Sequence, residues 1–140
     1  MKKVSAANKR FYVALGIIGA ILIGWWAWEQ FSPKPLGDRL EYVGREDYGC
    51  WIICDSAPAS VYYYATDMTP EEVVAYFKGA NMELPLESEG DNVRIWLKKN
   101  NDSFLVRYYN NDKKIKKYAS ENKKVISLRS QDYSFASKSL

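Results

Sequence analysis

The sequence predicts an α+β protein, with an N-terminal single transmembrane helix followed by a small antiparallel sheet with one packed helix. Three observations predict it. The run FYVALGIIGAILIGWWAW, Phe11 to Trp28, has eighteen residues and no charge. Thr69-Pro70-Glu71-Glu72 combines a capping threonine, a proline at the first helical position and a glutamate three residues after the cap. Val93 to Lys98 (VRIWLK) and Phe104 to Tyr109 (FLVRYY) alternate apolar and polar residues around a polar turn, the pattern of a hairpin.

As a helix, residues 11–28 would rise about 27 Å, close to the thickness of the hydrocarbon core of a bilayer. Lys2, Lys3, Lys9 and Arg10 precede the run and Glu29 follows it. Counting basic residues in the flanks therefore predicts a cytoplasmic basic N-terminus at residues 1–10 and an extracytoplasmic remainder. Trp25, Trp26 and Trp28 at one end and Tyr12 at the other suit membrane interfaces. A cleaved secretory signal is the rival, but the bulky GWWAWEQF stretch lacks the small-residue pattern that cleavage needs, so the reading is a retained signal anchor. Gly16, Ala20 and Gly24 recur every four residues on one helix face, the spacing that lets two spanning helices approach and a homodimer form.

Pro33 and Pro35 predict an extended linker at residues 29–37, with the extracytoplasmic domain at 38–130. Within it, Ser60 to Thr66 (SVYYYAT) is rich in aromatic and β-branched residues and predicts a strand. The helix begun at Thr69 should run to about Lys78, with Val73, Val74, Phe77 and Ala80 on the face that packs against the sheet. After the hairpin, Asn110-Asn111-Asp112 marks a turn, Lys114 to Tyr118 reads as a basic strand, and Val125 to Arg129 as a last strand. From Gln131 the chain is polar and serine-rich, predicting a flexible tail at 131–140.

Cys50 and Cys54 are the only cysteines, and an oxidising compartment favours a disulfide between them. Four residues of strand span about 13 Å, whereas bridged Cα atoms lie within roughly 7 Å, so a bridge requires a turn at Trp51-Ile52-Ile53. An intermolecular bridge and two buried thiols are the alternatives. A redox pair would have two residues between its cysteines, and zinc would need further ligands.

The 140 residues include no histidine, which excludes serine–histidine and cysteine–histidine catalysis and removes the commonest metal ligand. No phosphate-binding glycine loop or nucleophile elbow is present, so neither enzyme activity nor a cofactor is expected, and the one enzymatic alternative is a hydrolase using carboxylates alone, such as Glu87, Glu89 and Asp91. Charge is more informative. Residues 1–35 sum to +4, residues 36–110 to −6 and residues 111–140 to +5, within a total of +3. Glu87, Glu89 and Asp91 form an acidic loop. Lys113, Lys114, Lys116 and Lys117, with Lys123 and Lys124, form a basic cluster. Both are partner-binding candidates, although lysines on an edge strand also serve simply to discourage aggregation.

The reading is a membrane-anchored periplasmic binding or accessory module in a bacterial inner membrane, with the bilayer and an envelope protein as its partners and no nucleic acid. The alternative is a membrane-tethered inhibitor or immunity protein neutralising a periplasm-acting toxin or enzyme, its acidic loop occluding a basic site.

Overall fold

The computed structural model describes residues 5–32, 34–49, 59–119 and 122–140. The chain divides into two units, Met1–Pro33 and Lys34–Leu140. The first is a single helix, α1, Ala6–Phe31. The Ser5 side chain caps it by accepting from the Asn8 N–H, and at the other end the Ser32 N–H donates to the Trp28 carbonyl. Residues Ala6–Glu29 are long and apolar enough to cross a membrane, and Ile17, Ile21, Leu22 and Trp25 are exposed along them.

Among the described residues the second unit is an antiparallel seven-stranded sheet carrying two α-helices. Its elements are β1 (Glu41–Tyr48), β2 (Ala59–Thr66), α2 (Pro70–Tyr76), β3 (Asn81–Met82), β4 (Glu87–Glu89), β5 (Asn92–Lys99), β6 (Asp102–Tyr109), β7 (Lys124–Arg129) and α3 (Ser130–Ser137). Strand order is β1-β2-β7-β6-β5, and the far edge of β5 is shared by β3 and β4. The last strand thus inserts between β2 and β6, joining the β1–β2 pair to the β5–β6 hairpin.

Period-two alternation sends Tyr62 and Tyr64 of β2, Ile95 and Leu97 of β5, Phe104, Val106 and Tyr108 of β6, and Ile126 and Leu128 of β7 to one face. Helices α2 and α3 cover that face. Val73 of α2 and Phe77 just beyond its end are fully buried, and Val74 and Ala80 pack partly against the same core. The capping box is formed in full: the Glu72 N–H donates to the Thr69 hydroxyl at 3.3 Å, and the Thr69 N–H donates to the Glu72 carboxylate at 2.9 Å. The helix stops at Tyr76, short of the expected Lys78, because Phe77 leaves the helical region to enter the core.

Further features differ from the sequence reading. Lys114 to Tyr118 is not a strand: it forms a turn followed by a 3-10 turn at Lys116–Tyr118. Ile115 and Tyr118, three residues apart, both face the sheet, and a spacing of three matches a 3-10 turn, not a strand. The stretch after Gln131 is not a tail. It continues α3, which buries Ala136 and packs Tyr133 and Phe135 on the core, so the sheet carries two helices where one was expected. The linker ends earlier than expected. Leu36 is fully buried, and the Tyr133 hydroxyl donates to the Pro35 carbonyl at 2.7 Å. Finally, β1 was not foreseen, and the acidic loop includes the short strand β4.

Candidate functional site

The other face of the sheet carries Arg94 and Trp96 of β5, Leu105, Arg107 and Tyr109 of β6, Val125, Ser127 and Arg129 of β7, and Val61 and Tyr63 of β2. Among the described residues no helix covers it. Only the segment around the 3-10 turn lies there, with Ile115 buried against Tyr63 and Val125 and with Tyr118 packed beside them.

That segment is held by one carboxylate. Glu46, on β1, accepts from Lys117 Nζ at 2.6 Å and from the hydroxyls of Tyr48 at 2.5 Å, Tyr63 at 3.2 Å and Tyr118 at 3.2 Å. The Tyr118 ring stacks on Tyr63 with centroids 4.6 Å apart, and Lys117 sits 4.8 Å over the Tyr118 ring. Gly44 makes this approach possible, since a Cβ there would lie 2.3 Å from the Tyr118 ring. The Lys117 ammonium, followed by the Tyr48 hydroxyl, lowers the Glu46 carboxyl to about 2. Burial raises the Tyr63 phenol and hydrogen bonding to Glu46 raises that of Tyr48, so both remain protonated donors.

A group whose folded pKa lies below its unfolded value stabilises the fold above the unfolded value, and that contribution disappears as pH falls through the folded one. The Glu46 contribution is therefore complete above about 4.5 and fades toward 2. Glu46→Gln is expected to cost about 1 kcal/mol at pH 7, because the charge-assisted bonds become neutral ones. Melting curves of the variant and the parent should converge as pH is lowered from 5 to about 2. A difference that stayed constant over that range would refute the assignment.

Beside this cluster lies a hollow of about 510 Å³ on the uncovered face. Val61, Leu105 and the rings of Tyr63 and Tyr109 supply apolar wall, and Arg107 and Arg129 supply cationic wall. The register pairs Arg107 with Ser127, and Arg129 stands two residues further along β7 on the same face. The two arginines are thus diagonal cross-strand neighbours, whose Cα atoms lie roughly 7–8 Å apart in such pairings. The Ser127 hydroxyl donates to the Tyr109 hydroxyl at 3.2 Å. Among the described residues, the chain has no group of three or more histidine, cysteine or acidic side chains able to hold a metal.

Comparison with protein-family models, curated proteins and solved structures finds no match. The site therefore has to be read from its own chemistry.

The residues singled out in the sequence are distributed as follows. Glu89 grips Arg94 with both carboxylate oxygens, at 2.8 and 2.7 Å, and Glu87 stands 3.9 Å from the same guanidinium. Asp91 is exposed, and its carbonyl accepts from Asn110 at 2.8 Å. Lys113, Lys114, Lys116 and Lys117 are all exposed around the 3-10 turn, with Lys117 committed to Glu46. Lys123 pairs with Glu41 at 2.9 Å, and Lys124 donates to the Asn110 carbonyl at 3.0 Å. Gly16, Ala20 and Gly24 are exposed on α1, with open space beside both glycines. Cys50 and Cys54 lie outside the described residues, in the stretch joining β1 to β2.

Sequence reasoning missed Arg107, Arg129 and Glu46. The first two are separated by 21 intervening residues and meet only through the β6–β7 register. The run FLVRYY did contain part of the signal, since its arginine lies on the phase opposite Phe104, Val106 and Tyr108, whereas VISLR is buried on both phases and hides Arg129.

Proposed function

We propose that the protein is a membrane-anchored binding or accessory module for an envelope protein partner. In this reading α1 stays in a bacterial inner membrane, the N-terminus is cytoplasmic, and Lys34–Leu140 works on the periplasmic side. The basic flank before the apolar run and the tryptophans near its end support that orientation. The observation that carries the binding reading is the sheet face that no described helix covers. Its hollow combines apolar walls with two arginines, and Tyr48 and Tyr63 of its lining connect through Glu46 to Lys117. Such a surface complements an acidic protein segment.

The test is photo-crosslinking in cells from an aryl-ketone amino acid placed at Leu105, within the hollow, or at Glu71, on exposed α2. An adduct of one defined mass from Leu105 and none from Glu71 is expected. Equal labelling from both, or none from Leu105, would overturn the reading. A periplasm-dependent reporter fused after Leu140 should be active, and a reporter active only in the cytosol would overturn the orientation.

The alternative, an inhibitor or immunity protein acting through its acidic loop, draws less support. Glu87 and Glu89 are already engaged with Arg94 inside the chain.

A further inference from the structure

We propose that the hollow on the uncovered face is a carboxylate-recognition site, taking a carboxylate attached to an apolar or aromatic body. The inference rests on the reading of that face as the binding surface and adds the chemistry of what it recognises.

The argument starts from unmatched donors. Arg107 lies half-buried on the hollow's wall, and its Nε is buried with no hydrogen-bond partner among the described residues. Arg129 lines the same space. Among the described residues neither guanidinium has a carboxylate within ion-pair distance. Glu89 and Asp132 sense Arg107 and Arg129, respectively, only through space. Glu46, at the edge of the site, is fully occupied by Lys117 and the tyrosine hydroxyls. The described lining of the hollow thus carries two positive charges and no negative one.

Buried guanidinium donors are retained where an anion supplies the missing acceptors, and the planar fork of arginine matches a carboxylate with two parallel hydrogen bonds. The Tyr109 hydroxyl, which already accepts from Ser127, has its own proton free for a carboxylate oxygen. Val61, Leu105 and the Tyr63 ring add the apolar wall that an aliphatic or aromatic neighbour of the carboxylate would cover. A phosphate fits less well. No lysine is among the described lining residues to partner a second phosphate charge, although Arg129 is also the N-cap of α3.

Two sources could present this chemistry: an acidic residue or terminal carboxylate of the partner polypeptide, or a free organic acid. The full chain, purified in detergent and labelled with nitrogen-15, is titrated with 3-phenylpropionate, 3-phenylpropionamide and phenyl phosphate. The carboxylate is expected to shift the amide signals of Leu105, Arg107, Ser127 and Arg129 saturably, with a dissociation constant of about a few millimolar, as suits a fragment this small. Arg107→Gln and Arg129→Gln should each weaken it about tenfold or more while the signals of Ile95 and Phe104, in the core, stay in place. The amide analogue should give no saturable shift. Absence of saturation by about 20 mM, equal binding of the amide, tighter binding of phenyl phosphate, or unchanged binding in the double arginine variant would each overturn the proposal.

The crosslinking described above separates the two ideas. If Leu105 captures a protein and the Arg107→Gln, Arg129→Gln variant loses that adduct, the carboxylate belongs to the partner. If phenylpropionate binds but no protein is captured, the site stands with a free acid as its ligand and the partner reading fails. If a protein is captured equally by parent and double variant and phenylpropionate does not bind, the partner reading stands and the carboxylate site fails.

Discussion

Phe104→Ala is expected to destabilise the domain by about 3–5 kcal/mol, the range for emptying a buried aromatic position. Phe104 is fully buried in the first half of β6, and its ring meets that of Phe77 edge to face with centroids 5.6 Å apart. Truncation therefore removes the contact that seats the end of α2 on the sheet as well as the apolar area itself. For a unit of about a hundred residues each kcal/mol moves the midpoint by about 4–8 °C, so thermal melts should fall by about 15 °C or more. Leu105→Ala, one residue along on the half-buried opposite face, provides the contrast and should cost under about 1.5 kcal/mol. Equal losses from the two variants would mean that the two faces of the sheet had been assigned wrongly.

The second large effect is expected from a glycine that the sequence placed in a linker. Gly37 has φ +83°, a conformation that L side chains rarely adopt, and a Cβ there would lie 1.8 Å from the Tyr76 hydroxyl oxygen. Gly37→Ala must therefore strain the backbone and push Tyr76 aside. The Tyr76 hydroxyl accepts from the Arg39 N–H at 3.4 Å and reaches the Leu36 carbonyl at 3.5 Å, so displacing it also loosens the segment that carries Leu36 into the core. We expect a loss of about 2–3 kcal/mol from backbone strain and the displaced contacts together. A Gly37→Ala, Tyr76→Phe double variant should recover part of it, because the obstructing oxygen is gone. A Gly37→Ala variant as stable as the parent would show that residues 34–37 are not part of the packed unit.

The elements legible in the sequence are those whose local chemistry and long-range packing agree. Thr69-Pro70-Glu71-Glu72 announces α2 because capping is local, and VRIWLK and FLVRYY announce β5 and β6 because one face of each is buried along its whole length. β1 was hidden for a physical reason. EYVGREDY is an edge strand with charged residues on both phases, and its register slips at a bulge between Tyr42 and Gly44, so no clean alternation survives. Likewise, serines dilute the helical signal of residues 130–137, although Tyr133 and Ala136 stand three apart and pack inward together. The basic cluster was visible as composition, but its geometry was not: an alternating reading of KIKKY misses that Ile115 and Tyr118 are the inward pair. The hollow was the least legible. Its two arginines and Tyr63 come from three strands, and only the order β2-β7-β6 brings them together.

The latch between Pro35 and Tyr133 also bears on how mechanical load would enter the domain. Tension arriving along the backbone at residue 34 meets the Pro35 carbonyl, held by the Tyr133 hydroxyl, and then the buried Leu36 before it reaches any strand. The helix that begins at Ser130 is therefore the element on which a pull at residue 34 would first bear, through Tyr133 and the core beneath it.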